Sequence, residues 1–278
     1  MKKTIAFALA LTLLTCCAAC GAQPDTYKAL SDTLAAEEYG VGFRNEDVAL
    51  GLAVQGCMDE MLTDGTAEKI SMQWFGRDAL LRDRALLEEE SPAADDGSLD
   101  AVLEKGTLVV GLDDSYPPMG FRDENNEIAG LDIYLANEVA RRLGVTAVFT
   151  PIDWDAKELE LAAGKIDCIW NGMTITEGRL DSMFFARPYV ANEQIIIVSD
   201  ASGIQKKADL AGKKVGLQKG SSSLDALESD PIRAQVASVT EYPDNVSAYT
   251  DLKAGRIDAL VIDSVVGDYL LAQEKAAQ

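Results

Sequence analysis

This chain of 278 residues contains no histidine. That removes the commonest acid–base side chain and the commonest metal ligand together, so neither a metal nor a cofactor is expected. Basic residues are the next shortage: 25 Lys and Arg against 46 Asp and Glu leave a formal charge of −21. Such a field repels phosphate and excludes nucleic acid and anionic membrane surfaces as partners. It says little about a small ligand, whose site can oppose the global field. Cysteine is scarce, five in all. Outside the first twenty residues only Cys57 and Cys168 remain, too few for a disulfide framework. Both are expected as small buried apolar residues. Apolar runs long enough to span a bilayer are lacking as well; "TIAFALALTLLT" near the start falls short. What is present is a hydrophobic content of 47%, that of a globular protein with a full core. The length suits one large domain or two lobes.

Residues 1–20 read as a targeting leader, with Lys2-Lys3 ahead of the apolar run. The run ends in "CCAACG", where Cys20 after Ala18-Ala19 and before Gly21 resembles a bacterial lipoprotein cleavage site. That implies a lipidated Cys20 tethering the protein outside the cytoplasmic membrane by its lipid anchor alone. Cys17 departs from that site's usual Leu, so Cys16 and Cys17 stay open as acceptors. An ordinary secretory leader stays open too.

From Leu99 onward strands and helices alternate. "TLVVGL", "AVFTPI", "IDCIWNGM", "QIIIVSD", "KKVGLQ" and "IDALVID" are apolar β runs. Between the first two, Leu131, Leu135, Val139 and Leu143 form one helical stripe that Gly144 ends. Short strands alternating with helices imply an α/β fold with parallel sheet. "LAAGKID" (161–167) and "LKAGRID" (252–258) echo each other, which suggests two similar lobes. Ahead of this lies Glu37 to Gly76: a short strand "EEYGVGF", a long amphipathic helix, an Asp-Gly turn and an aromatic-tipped helix. That succession reads like the end of a domain. Residues 77–98 between the two parts read as a linker whose first half could extend the preceding helix.

Ligands in open parallel sheets bind beyond the carboxyl ends of strands, so the strand exits carry the candidates. They are Asp113 and Tyr116; Trp154; Asn171, Gly172, Thr174 and Arg179; Gln218, Ser221, Ser222 and Ser223; and Asp263. Together they could hold a free amino acid. Arg179 can grip an α-carboxylate bidentately, with backbone N–H groups of the serine turn beside it. Asp263 can take the α-ammonium with the Thr174 hydroxyl and a carbonyl near Gly172, while Tyr116 and Trp154 sandwich the side chain. Each residue has a plainer role open to it: Arg179 as a surface ion-pair partner, Asp263 as the cap of helix "SVVGDYLL", the aromatics as core, "GSSS" as a turn.

The segments "LVVGLDDSYPPMGF", "GLDIYLANEVARRLG", "NGMTITEGRLDSMFFARPY", "DLAGKKVGLQKGSSS" and "AGRIDALVIDS" resemble the extracellular solute-binding proteins of polar amino acid ABC importers, family 3. The resemblance runs from Leu99 to Leu271. It implies the two-lobed type II periplasmic-binding-protein fold with two hinge strands, closing on its ligand like a clamp. On that match Arg179 is the carboxylate clamp and Asp263 the ammonium acceptor, with Thr174 and Ser222 as supporting donors. Asp113, Tyr116, Trp154, Asn171 and Gln218 would shape the side-chain pocket. The family's closing strand and helices do not follow residue 271 here; they resemble residues 37–76. The chain therefore resembles a circular permutant; a relic fragment left by gene duplication stays open beside it. Its first lobe would span 40–188, including the tail 40–76 and the linker 77–98. Its second would combine 27–37 with 193–278, with hinges near 38–40 and 189–193 and Gln278 close to residues 26–30.

The expected function is capture of an extracytoplasmic polar amino acid and its delivery to an ABC permease, without chemistry on the ligand. Asn171, Gln218 and Ile262 favour an uncharged polar side chain, with glutamine and cystine as candidates; Asp113 leaves a basic one open. Two alternatives stand beside it. One is an enzyme on the same fold, such as a small-carboxylate dehydratase using Asp113 and Asp114. The other is a ligand-sensing lipoprotein acting through a partner.

Overall fold

Tyr27 opens the longest strand of the molecule, β1 (Tyr27–Arg44), in a computed structural model that describes residues 26–83 and 95–276. The leader, Cys20, residues 84–94 of the linker and Gln278 lie outside the described residues. The sequence splits this strand into a short run near 27–36 and a separate "EEYGVGF". The structure makes it continuous, because β9 (Val190–Ser199) runs antiparallel beside it from Tyr27 to Tyr39 and pairs its backbone groups along that length. Register shifts between Ala29 and Thr33 and between Thr33 and Ala35 absorb the twist.

Each side of this central pair carries a block of parallel strands. On one side stand β7 (Cys168–Thr174), β2 (Thr107–Leu112) and β6 (Thr146–Pro151); on the other β12 (Ala259–Asp263), β10 (Lys214–Gln218) and β11 (Ser238–Tyr242). The sheet order is β11-β10-β12-β9-β1-β7-β2-β6, with β8 (Met183–Phe185) also on β1. The expected parallel sheet is thus parallel within each lobe and antiparallel where the two central strands cross between them. The Pro-rich segment after β2 is not all loop: β3 (Ser115–Tyr116), β4 (Gly120–Arg122) and β5 (Ile128–Ala129) form a small sheet of their own.

After β1, α1 (Val48–Asp64) buries Leu50, Val54, Met58 and Met61, a stripe with helical spacing, against the first lobe. Gly65, at φ +79°, ends it in the left-handed conformation that the Asp-Gly turn requires. α2 (Thr66–Phe75) follows and stops at Gly76. The expected extension of this helix past Arg77 does not occur. The backbone runs extended instead, where Leu81 N donates to Tyr189 O (2.8 Å) and Leu80 bridges Val190. α3 (Ser98–Lys105) leads into β2, and α4 (Leu131–Leu143) buries Leu131, Leu135 and Val139 as its stripe predicts. The second lobe has its own core, with Leu30, Ile196, Val198, Leu217 and Val261 at its centre. Cys57 and Cys168 are buried and free, as expected. No helix among the described residues is long and apolar enough to cross a membrane.

Candidate functional site

The carboxyl ends of β2, β7, β10 and β12 meet at one narrow cavity between the two lobes. From the first lobe it is lined by Tyr116, by Trp154 in a short 3-10 turn, by Gly172 and Thr174 in β7, and by Arg179. From the second come Gln218, Ser221, Ser222 and Asp263. Asp113 and Asn171 stand behind this lining. Asn171 Oδ1 accepts from Asp113 N (3.0 Å), tying two strand exits together. Asp113 Oδ2 accepts from Gln218 Nε2 (2.7 Å), so it reaches the cavity through Gln218 and joins the lobes. Burial pushes the Asp113 carboxyl up to about 6.

Arg179 lies in α6 (Glu177–Leu180), which Thr176 caps by accepting from Arg179 N (3.2 Å). The guanidinium is not the surface ion-pair partner that its position also allowed. The residue is 8% exposed and has no carboxylate within ion-pair distance among the described residues. Nη1 donates to Thr174 O (2.6 Å) and Nη2 to Gly220 O (3.3 Å). Burial lowers its pKa. A buried guanidinium without a counter-charge is costly, and a carboxylate in its fork would relieve that cost.

Asp263 ends β12 across the cavity and is 3% exposed. Its Oδ1 accepts from Tyr39 OH (2.9 Å), Asn192 Nδ2 (2.6 Å) and Gln194 Nε2 (2.9 Å). The carboxyl thus turns to the two central strands, just ahead of α9 (Ser264–Ala276). Burial first, and Glu37 second, raise its pKa. Tyr39 OH also meets Tyr116 OH (2.9 Å), which holds that ring in the cavity wall. Gly172 sits at φ +56°, and a Cβ there would meet the Tyr116 ring at 2.7 Å. Its N–H donates to Asp132 Oδ2 (2.7 Å), whose other oxygen accepts from Tyr189 OH (2.8 Å). Burial pushes Asp132 up to about 7.

The serine turn opens α7 (Ser222–Glu228), as the amino-acid reading requires. Among the side-chain hydroxyls, Ser221 Oγ donates to Gln218 O (2.7 Å), and Thr174 Oγ1 donates to Glu37 Oε2 (2.9 Å). The lobes touch around the cavity. Lys157 Nζ donates to Gly220 O (2.8 Å) and to Trp154 O (3.2 Å), and Lys219 pairs with Asp155 (2.8 Å). Burial, reinforced by Arg179, pulls Lys157 down to about 8.

Sequence reasoning missed Glu37, Tyr39, Asn192, Gln194, Asp132 and Lys157. Asn192 and Gln194 carry a faint signal, two amides at the i, i+2 spacing that puts them on one strand face. Glu37 and Tyr39 carry none until β1 is known to lie beside β9.

A family model described as bacterial extracellular solute-binding proteins, family 3, matches residues 108–240. The L-cystine-binding protein TcyJ of Escherichia coli (strain K12) is 36% identical over 172 residues, 61% of this chain and 64% of that protein. The lysine/arginine/ornithine-binding periplasmic protein of the same organism is 34% identical over 160 residues, 57% of this chain and 61% of its own length. The chain thus spans somewhat less than two thirds of these curated relatives. A solved ABC uptake transporter substrate-binding protein from Streptococcus pneumoniae, with bound histidine, is 38% identical with a TM-score of 0.62, covering 63% of this chain and 73% of that one. Arginine-bound ArgBP from T. maritima, in a Gly52Ala variant, is 35% identical with a TM-score of 0.59, covering 63% and 81%. With this sequence likeness, the two-lobed sheet and the cavity at its strand exits, the chain belongs to the bacterial extracellular solute-binding proteins of family 3.

Proposed function

We propose that this protein is an extracytoplasmic receptor that closes on a free polar amino acid and presents it to an ABC permease. The observation that carries the reading is the pair of opposed charges in one cavity: the buried guanidinium of Arg179 on the first lobe, with no carboxylate within ion-pair distance among the described residues, and the buried carboxylate of Asp263 on the second. A zwitterion satisfies both at once, and only when the lobes are together. Closure is then a population shift, because ligand bound to both lobes stabilises the shut form. Trp154 and Tyr116 flank the space for the side chain, and Gln218, backed by Asp113, offers it polar contact. Names of the relatives support this class, since they include receptors for cystine, for lysine, arginine and ornithine, and for histidine. The ligand is bound and released unchanged in this reading, and Cys20 carries a lipid anchor.

Circular permutation belongs to the same proposal. The segment from β1 to α2 completes the sheet and packs on the first lobe, while the family match begins only at residue 108. Tyr27 packs edge-on against Tyr249 and shares a core with Leu271 of α9. The hinges would be the stretches of β1 and β9 near 38–40 and 189–193. Moving residues 26–76 behind Ala276 should leave a chain that folds with unchanged ligand affinity; loss of folding would count against permutation.

The receptor reading is tested by thermal unfolding of the purified chain against a panel of amino acids. A ligand at a thousand times its Kd adds about 4 kcal/mol, roughly 2–4 °C per kcal/mol for a chain of this size. Arg179→Ala should weaken binding by about 10- to 150-fold, the worth of a charged hydrogen-bond pair. A cooperative transition that no amino acid moves, or turnover of a bound one, would overturn the reading.

A further inference from the structure

The two hydroxyls beside Arg179 have their protons committed away from the cavity. Thr174 Oγ1 lies 2.9 Å from Glu37 Oε2. A carboxylate oxygen only accepts, so Thr174 must be the donor. Ser222 Oγ lies 3.1 Å from Thr174 Oγ1. With the threonine proton already given to Glu37, Ser222 must donate in that pair. Each hydroxyl has one proton, and both are spent. Thr174 Oγ1 already accepts from Ser222, and Ser222 Oγ accepts from Gln194 Nε2 (3.3 Å), so to anything entering the cavity each hydroxyl offers its one remaining lone pair.

The same oxygen of Glu37 receives Asn192 Nδ2 (2.8 Å) and Gln194 Nε2 (2.9 Å). These two amides donate also to Asp263 Oδ1. Turned the other way, each amide would set its oxygen against two carboxylates, so the NH2 ends must face them. Ser223 Oγ donates to Gln194 Oε1 (2.7 Å) and Ser264 Oγ to Asn192 Oδ1 (3.1 Å), which agrees with that orientation. Glu37 has no cationic partner within ion-pair distance among the described residues, and its charge is met by these three neutral donors alone. It stands at the head of a directed chain that runs from Glu37 through Thr174 to Ser222.

We infer that Glu37 is a positioning residue of the ligand site: by holding the Thr174 and Ser222 hydroxyls as acceptors, it makes the wall between Arg179 and Asp263 select a ligand with an α-ammonium beside its carboxylate. The carboxylate is left to Arg179, and the two hydroxyls serve the ammonium side rather than the carboxylate. This rests on the amino-acid receptor reading. It assigns a selective role to the strand β1, which precedes every other part of the site in the chain.

The test compares amino acids with their desamino counterparts by isothermal titration of the full chain and of Glu37→Gln. The pairs are L-arginine with 5-guanidinopentanoate, L-histidine with 3-(imidazol-4-yl)propanoate, L-glutamine with glutaramate, and L-cystine with 3,3′-dithiodipropionate. For whichever amino acid binds, Glu37→Gln should lower the preference over the desamino acid about tenfold, while affinity for the desamino acid changes less than threefold. Equal weakening of both members, with the preference kept within threefold, would mean a structural role only and overturn the assignment. Thr174→Val should lower the same preference, and the losses of the two variants should be non-additive in amino-acid affinity; additive losses would overturn it. If Glu37→Gln does not fold, Thr174→Val decides alone by the same threefold criterion. If none of the four binds, the amino acid that the thermal panel picks out and its desamino counterpart take their place; failure of the unaltered chain to bind any amino acid would instead overturn the receptor reading, and the assignment with it.

Discussion

In the first lobe "LAAGKID" leads from α5 (Lys157–Ala162) into β7; in the second, "LKAGRID" leads from α8 (Asn245–Lys253) into β12. The two heptapeptides make the same contacts. Asp167 N donates to Val109 O (2.8 Å), and Val109 N donates back to Asp167 Oδ2 (2.6 Å). Asp258 N donates to Lys214 O (2.8 Å), and Lys214 N returns to Asp258 Oδ2 (2.8 Å). The isoleucines match as well. Ile166 packs so closely over Gly111 of β2, and Ile257 over Gly216 of β10, that a Cβ on either glycine would come within 3.0 Å of the isoleucine Cδ1. Each heptapeptide therefore couples one parallel strand to its neighbour, through an aspartate in place of a missing ladder partner and a side chain filling the space over a glycine. The lobes differ in what surrounds this coupling: a Cβ on Gly216 would also meet the Tyr242 ring at 2.9 Å. Asp167 is also paired with Lys105 Nζ (2.7 Å), whereas Asp258 has no cation within ion-pair distance among the described residues. The coupling belongs to the repeated residues, and the lysine is an addition on the first lobe.

Truncating the isoleucines should cost most. Ile166→Ala and Ile257→Ala should each lose about 2–5 kcal/mol in urea unfolding, and a difference above about 2 kcal/mol would break the equivalence. Removing the aspartates comes next. Asp167→Ala and Asp258→Ala leave a strand N–H without its acceptor, worth about 1–3 kcal/mol at part-buried Val109 and less at exposed Lys214, where water can take the acceptor's place. Hydrogen exchange should quicken at Val109 in one variant and at Lys214 in the other. Gly111→Ala crowds the end of Ile166, and Gly216→Ala crowds both the end of Ile257 and the Tyr242 ring, so about 1–3 kcal/mol is expected, with the larger loss at Gly216. Ile166→Val and Ile257→Val should restore part of it, each in its own lobe only; rescue across lobes would contradict the local packing. Smallest of all is Lys105→Met. Its side chain is 42% exposed, and a change under about 1 kcal/mol is expected. A larger loss would show that the first lobe relies on the pair that the second lacks.

The same contrast governs how much of the molecule was legible in advance. Arg179, Asp263, Gln218, Tyr116 and Trp154 were legible because strand exits are marked locally, by an apolar β run that stops at polar and aromatic residues. Glu37 and Tyr39 were not, since β1 is itself a long strand and its value lies in what runs beside it. Glu37 meets Asn192 155 residues further on. Lys157 was not legible either; buried under the facing lobe, it donates to the carbonyl of Gly220 63 residues away. The continuous strand from Tyr27 to Arg44 escaped because its first half alternates weakly, and only pairing with β9 keeps it extended. The direction of the Thr174 and Ser222 hydroxyls was not legible, for a hydroxyl takes its direction from the nearest obligate acceptor, and Glu37 lies far off in the chain.

The sequence by itself determined the alternation of strands and helices, the helix from Val48 to Asp64 with its Asp-Gly turn, and the charged and aromatic residues at the strand exits. These depend on periodicity and turn chemistry within a few residues. Only the tertiary structure decided that β1 and β9 join the two lobes, that Arg179 is buried without a counter-charge opposite Asp263, and that Glu37 orders the protons between them. A buried charge is defined by what surrounds it, and a hydrogen bond's direction by which acceptor the fold brings within reach.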